Sequence, residues 1–154
     1  MPHWTCRAAR ILEVRGLSVT FNVGGGLLTR RRALHAVQQM DFTVAAGETF
    51  AVVGESGSGK STLARAVMRL VPPSSGSIML DGDDITALSG NALRRLRPKL
   101  QMVFQDPYAS LDPSKLIRNI VAEPLAVHGH ANGRAAETEV LRLLRLVGLD
   151  EHHM

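Results

Sequence analysis

The sequence holds a single cysteine, Cys6, in 154 residues. No internal disulfide can form, and the default reading is a free structural thiol in a reducing compartment. Long apolar runs are missing too. None approaches the ~18 residues needed to span a bilayer. The first ten residues, with Pro2, His3, Arg7 and Arg10, lack the apolar core of a signal peptide. These absences predict a cytoplasmic protein whose membrane role would come through a partner chain. Aromatic residues make up only 4% of the chain, and none interleaves a basic stretch. The net charge of +4 therefore suits an anionic ligand without indicating nucleic acid. The positive excess gathers in two clusters, Arg30-Arg31-Arg32 and Arg94-Arg95-Arg97-Lys99. Solvated loop and helix faces are the favoured reading for both, ahead of a binding patch. Repeats are absent. Hydrophobic residues are 45% of the chain, which fits a globular protein of one domain or part of one.

What is present is concentrated in residues 54 to 62, Gly54-Glu55-Ser56-Gly57-Ser58-Gly59-Lys60-Ser61-Thr62. The pattern G-x-x-x-x-G-K-[ST] is that of a phosphate-binding loop. Four residues between the outer glycines let the chain curl so that successive backbone N–H groups point inward at phosphate oxygens. Gly54, Gly57 and Gly59 allow backbone angles and close approaches that a Cβ forbids. Lys60 is placed to reach the β- and γ-phosphates, and the Ser61 hydroxyl to ligand Mg²⁺. The flanks agree. Glu48 to Val53 is a short apolar run that reads as a buried strand. Leu63, Ala64, Ala66, Val67 and Leu70 follow at helical spacing up to Pro72-Pro73. A helix starting at Gly59 or Lys60 aims its positive end at the phosphates. A Gly/Ser-rich turn that binds nothing is the bland alternative.

Ahead of this loop, Ile11 to Val14, Leu17 to Phe21 and Ala36 to Val44 read as strands, the last with Met40, Phe42 and Val44 on one face. They predict a small antiparallel sheet beside the nucleotide core. After it, Ser77 to Leu80 is a strand, Asp81-Gly82 a hairpin turn, Asn91 to Arg97 a helix ended by Pro98, and Leu100 to Phe104 a further strand. Ser114 to His128 and Gly133 to Val147 are helical, with Val140, Leu141, Leu143, Leu144 and Val147 on one face and Gly148 as terminator.

The phosphate-loop residues, together with Phe104-Gln105-Asp106-Pro107-Tyr108-Ala109-Ser110-Leu111-Asp112-Pro113, strongly resemble the ATP-binding subunits of ABC transporters. Within them the chain is similar to the dipeptide, oligopeptide and glutathione importers. Ala36-Val37, Leu80 to Ile85, Glu123-Pro124-Leu125 and Val127-His128-Gly129 add to the likeness, which runs from about Ile11 to Met154. The resemblance implies an α/β P-loop NTPase core, an N-terminal antiparallel β subdomain (residues 11–104 together), a Q-loop at 105–113 and the start of a helical subdomain at 114–154, after a tail at 1–10. It implies ATP and Mg²⁺ as cofactors, held by Gly54, Glu55, Ser56, Gly57, Ser58, Gly59, Lys60, Ser61 and Thr62. Gln105 becomes the glutamine that contacts Mg²⁺ or the attacking water. Phe21 becomes either the ring that stacks on adenine or an ordinary core residue. The implied partners are transmembrane permease subunits, a second ATP-binding domain arranged head to tail, and, indirectly, an extracytoplasmic solute-binding protein. Nucleic acid is not among them. The implied location is peripheral, on the cytoplasmic face of the membrane.

The sequence also departs from the family. A Leu-Ser-Gly-Gly-Gln signature, an apolar strand ending in Asp-Glu and a later switch histidine are all missing. His152 and His153 do not match the switch position. The acidic residues after Gln105 are Asp106, Asp112, Glu123, Glu137, Glu139, Asp150 and Glu151, and none follows four apolar residues. No general base is therefore named, and hydrolysis by this chain alone is not expected. The strands that would flank the 48–53 and 100–104 runs are missing as well, so an incomplete core sheet is expected, as in the N-terminal part of a longer subunit. The competing readings are a non-catalytic nucleotide-binding remnant, a soluble ABC ATPase outside transport, and a P-loop kinase. The kinase would need an acceptor site and an arginine-bearing lid, neither suggested by the order of motifs.

Overall fold

The computed structural model describes residues 10–24, 32–106, 111–129 and 133–154, with His153 by its backbone alone. Arg30, Arg31 and the Pro107 to Ser110 part of the Q-loop stretch lie outside the described residues. The chain divides into two compact units, Met1–Gln101 and Met102–Met154.

The first unit is built on a four-stranded antiparallel sheet of order β2-β1-β3-β4, with β1 Arg10–Val23, β2 Arg32–Ala45, β3 Ser75–Leu80 and β4 Asp83–Asp84. The two runs expected at 11–14 and 17–21 are one strand with a bulge between them. The register against β2 shifts between Val14 and Leu17. Gly16 sits there at φ +55°, and its N–H donates to Asp41 Oδ1 at 2.7 Å. The extra residue changes the phase of the alternation, so Val14, Leu17 and Val19 all reach the core. Asp81 and Gly82 both have positive φ, the geometry of a tight hairpin turn, and join β3 to β4.

One helix, α1 Lys60–Val67, is buried through Leu63 and Ala66. They join the cluster of Val14, Leu17, Val19, Val37, Ile78, Leu80 and Ile85. The helix ends before the expected Pro72-Pro73. Arg69 N–H donates to Ala66 O at 2.9 Å and Leu70 N–H to Arg65 O at 2.8 Å, the two closing bonds of a Schellman end. A second helix, α2 Gly90–Leu96, runs into a 3-10 turn, Arg97–Lys99, that contains Pro98.

The two runs expected as buried strands are not strands. Residues 48–55 and 100–104 pair with no β-ladder. Among the described residues, no backbone–backbone bond uses an N–H or C=O of 49–54. Val53 is 88% exposed and Val103 96%. The physical reason is that a parallel strand forms only against neighbours, and the sheet present here ends at β2 and β4. The core sheet is incomplete.

The second unit pairs α3 Ile117–Val127 with α4 Arg134–Leu146. Ala136, Val140 and Leu144 are buried on the inner face of α4. Val147, expected on that face, is exposed, because the helix has already ended. Leu149 N–H closes on Leu144 O at 3.0 Å over Gly148 at φ +79°.

Candidate functional site

Residues 46–53 lead from the end of β2 to the 54–62 loop, which enters α1 at Lys60. Gly59 is the residue before the helix, at φ +93°. A Cβ on it would overlap the carbonyl oxygen of Ala36 on β2. Only glycine meets both conditions. The loop is pinned by a Ser58 N–H bond to Glu55 O at 3.2 Å, and the helix opens with Leu63 N–H to Gly59 O at 2.8 Å.

Four backbone donors therefore face the loop mouth. The N–H groups of Gly59, Lys60, Ser61 and Thr62 have no backbone acceptor among the described residues, and no side chain caps the helix. These are the unsatisfied N-terminal donors that carry the positive end of a helix dipole. Ser61 is exposed at that end. The Lys60 ammonium folds back into the loop, donating to Gly54 O at 2.8 Å, to Glu55 O at 2.5 Å and to Ser58 Oγ at 3.3 Å. Unpartnered amides in the loop, the Lys60 ammonium and a hydroxyl together form the kind of donor set that a triphosphate and its Mg²⁺ require. A cavity of about 420 Å³ adjoins the loop, lined on one side by His35 to Gln38 and Met40 of β2, and on the other by Val52 to Gly54, Ser58 to Lys60 and Leu63.

The phosphate-loop residues are thus brought together as the spacing implied. Phe21 stands near the end of β1 opposite Leu34 and is 38% exposed, so it is not a core residue. Gln105 is exposed and belongs to the second unit. None of the described residues forms a cluster of three or more metal-ligating side chains.

Two arginines hold the far end of α1, of which the sequence offered Arg97 only as part of a solvated basic cluster and did not single out Arg69. Arg97, expected on a solvated face, is half-buried and donates to Met68 O at 2.5 Å and Arg69 O at 3.0 Å. Arg69 donates to Ile85 O and Leu88 O, both at 3.0 Å. Arg69 itself has φ +54°, at the helix-end position that usually falls to glycine. The only sequence signal was the missing glycine after a helical run.

The fold is that of an ABC-type ATP-binding cassette. Two dimeric structures of the ATP-binding cassette MJ0796, one in a post-hydrolysis state bound to ADP and Pi, each match 92% of this chain and 59% of theirs at a TM-score of 0.73 and 22% identity. The family model for ABC transporters matches residues 37–154, and the chain belongs to that family. The glutathione import ATP-binding proteins GsiA of Escherichia coli (strain K12) and Salmonella typhimurium (strain LT2) are 47% identical over 144 residues, which is 93% of this chain. The chain spans 23% of the length of those relatives.

Proposed function

We propose that this chain supplies the ATP-phosphate-binding part of a subunit that drives import of glutathione or short peptides through an ABC transporter. The observation that carries it is the set of unpartnered N–H groups from Gly59 to Thr62 around the Lys60 ammonium. The 47% identity to GsiA supports the glutathione or peptide side of the reading.

In this reading the N–H groups of the Gly54 to Thr62 loop would donate to the β- and γ-phosphate oxygens. Lys60 would exchange its bonds to the loop carbonyls for bonds to phosphate, the Ser61 hydroxyl would ligand Mg²⁺, and Gln105 would take the Mg²⁺-contacting role that the family resemblance implies. Bound Mg²⁺ supplies charge neutralisation across the phosphates. Phe21, exposed on β1, offers its ring to the adenine. The protein's contribution is positioning and preorganised charge. The chain's own residues stop short of hydrolysis, because no carboxylate follows an apolar strand to orient the water.

The partners in this reading are permease subunits and a second ATP-binding domain arranged head to tail, with a solute-binding protein acting through the permease. The subunit lies peripherally on the cytoplasmic face of the membrane. None of the described helices is long and apolar enough to cross one. The test is uptake of labelled glutathione and of a labelled tripeptide in cells carrying or lacking the gene, with affinity capture of the product from detergent-solubilised membranes. ATP-dependent uptake with co-capture of a permease is the expected result. Normal uptake of both solutes in its absence, with no permease captured, would refute the transport reading.

A second reading is a nucleotide-binding remnant without turnover. Among the described residues the 48–55 and 100–104 segments pair with no β-ladder, which favours it for the isolated chain. Phosphate release from MgATP separates the two: the isolated chain is expected to bind without releasing phosphate, and steady turnover would contradict that.

A further inference from the structure

We infer that Arg69 and Arg97 form a clasp that positions the phosphate-binding end of α1, so that they act as positioning residues for the nucleotide site. The inference rests on the phosphate-binding reading above.

Three observations converge. Arg97 spans the last carbonyls of the helix region, Met68 O and Arg69 O. Arg69 reaches in turn to Ile85 O and Leu88 O, the turn that follows β4, where Ile85 is fully buried and Leu88 packs on the same core. Arg69 also adopts a left-handed backbone at φ +54°, which glycine adopts without strain. An arginine where glycine fits better is a local conflict, and such conflicts mark positions where the side chain has a task. The task visible here is a planar fork bridging two carbonyls, which lysine reproduces only in part.

The helix is only eight residues long, about 12 Å at 1.5 Å per residue. A rigid rod that short transmits a tilt at one end to the other. The Gly59 to Thr62 amides lie at the opposite end from the clasp. Fixing the C-terminal end against the 85–88 turn therefore fixes the direction in which those amides point. It compensates for the 48–55 segment, which enters the loop without ladder bonds of its own.

The test uses MgATP and three variants of the whole protein: Arg69→Gly, Arg97→Met and Arg97→Lys. Arg69→Gly removes the fork while relieving the backbone, so an end-capping role alone predicts unchanged affinity. The clasp predicts MgATP binding about fivefold weaker in Arg69→Gly and Arg97→Met, little change in thermal midpoint for Arg69→Gly, and partial recovery in Arg97→Lys. It also predicts faster hydrogen exchange at residues 60–64 without nucleotide. Affinities within twofold of wild type, with exchange changes confined to 66–71 and 85–88, would overturn it. If Arg69→Gly does not fold, the wild-type protein decides. MgATP-induced protection reaching 85–88 supports the clasp, and protection confined to 54–64 overturns it. A wild-type protein with no saturable MgATP binding defeats the phosphate reading and the clasp together, whereas unaffected variants of a binding wild type defeat the clasp alone.

Discussion

Phe50 stacks on Phe42, with ring centroids 4.8 Å apart and planes 5° from parallel. Phe42 lies on β2, and Phe50 on the ladder-free segment that leads into the phosphate loop. With no backbone bond from 49–54 among the described residues, this stack is a principal tie between that segment and the sheet. Replacing Phe50 by alanine removes the stack and a ring that is 44% exposed. A loss of about 2 kcal/mol is expected, since an aromatic pair adds ~1 kcal/mol beyond its burial and this ring is only partly buried. Thermal and urea unfolding measure it. A change below about 0.5 kcal/mol, the range of ordinary surface substitutions, would show that the segment is held by other means.

The two ladder-free segments make a second prediction. Val53, Val103 and Phe104 present apolar surface beside backbone groups with no sheet partner, a combination that invites pairing with another strand. Amides of 49–54 and 101–105 are expected to exchange near intrinsic rates, while those of β1 and β3 are protected. Supplying the following part of a full-length relative as a separate polypeptide is expected to slow exchange at both segments. Protection equal to that of β1 in the isolated chain would contradict an incomplete sheet.

Acid sensitivity has a definite sign. The Thr86 hydroxyl and N–H lower the Asp84 pKa, with the N–H at 2.8 Å from Oδ1. The Ser114 hydroxyl and N–H do the same for Asp112, at 2.6 Å and 3.0 Å. A carboxyl whose folded pKa is depressed contributes stability that is complete above its unfolded pKa, about 4, and is lost as pH falls through the folded value. Both turns should therefore be unchanged between pH 8 and 5 and loosen only below about pH 4. A carboxyl-carbon NMR titration checks this. Midpoints at or above the ordinary aspartate value would contradict the bonding.

Several features were legible in the sequence because they depend on local chemistry. The Gly54 to Thr62 loop, the start of α1 at Lys60, the Asp81-Gly82 turn and the Gly148 helix end each follow from residues a few positions apart. The antiparallel sheet followed from the period-two pattern of Met40, Phe42 and Val44. The bulge at Gly16 did not, because the alternation of Val14, Leu17 and Val19 changes phase only when β2 supplies the partner. The 48–53 and 100–104 runs read as strands because apolar runs do, but pairing needs neighbours that lie far away in sequence. Arg97 read as a solvated charge, since nothing local reveals that carbonyls 28 and 29 residues away come within reach of its guanidinium.

The most direct test of the phosphate-binding account is calorimetric titration of MgATP into the wild-type protein and into Lys60→Ala. Loss of one charge-assisted contact worth about 2 kcal/mol weakens binding about thirtyfold. The account predicts saturable one-site binding by the wild type and that loss in the variant, with the unfolding midpoint of the apo protein little changed. Equal affinity in both, or no binding by a folded wild-type protein, would contradict it.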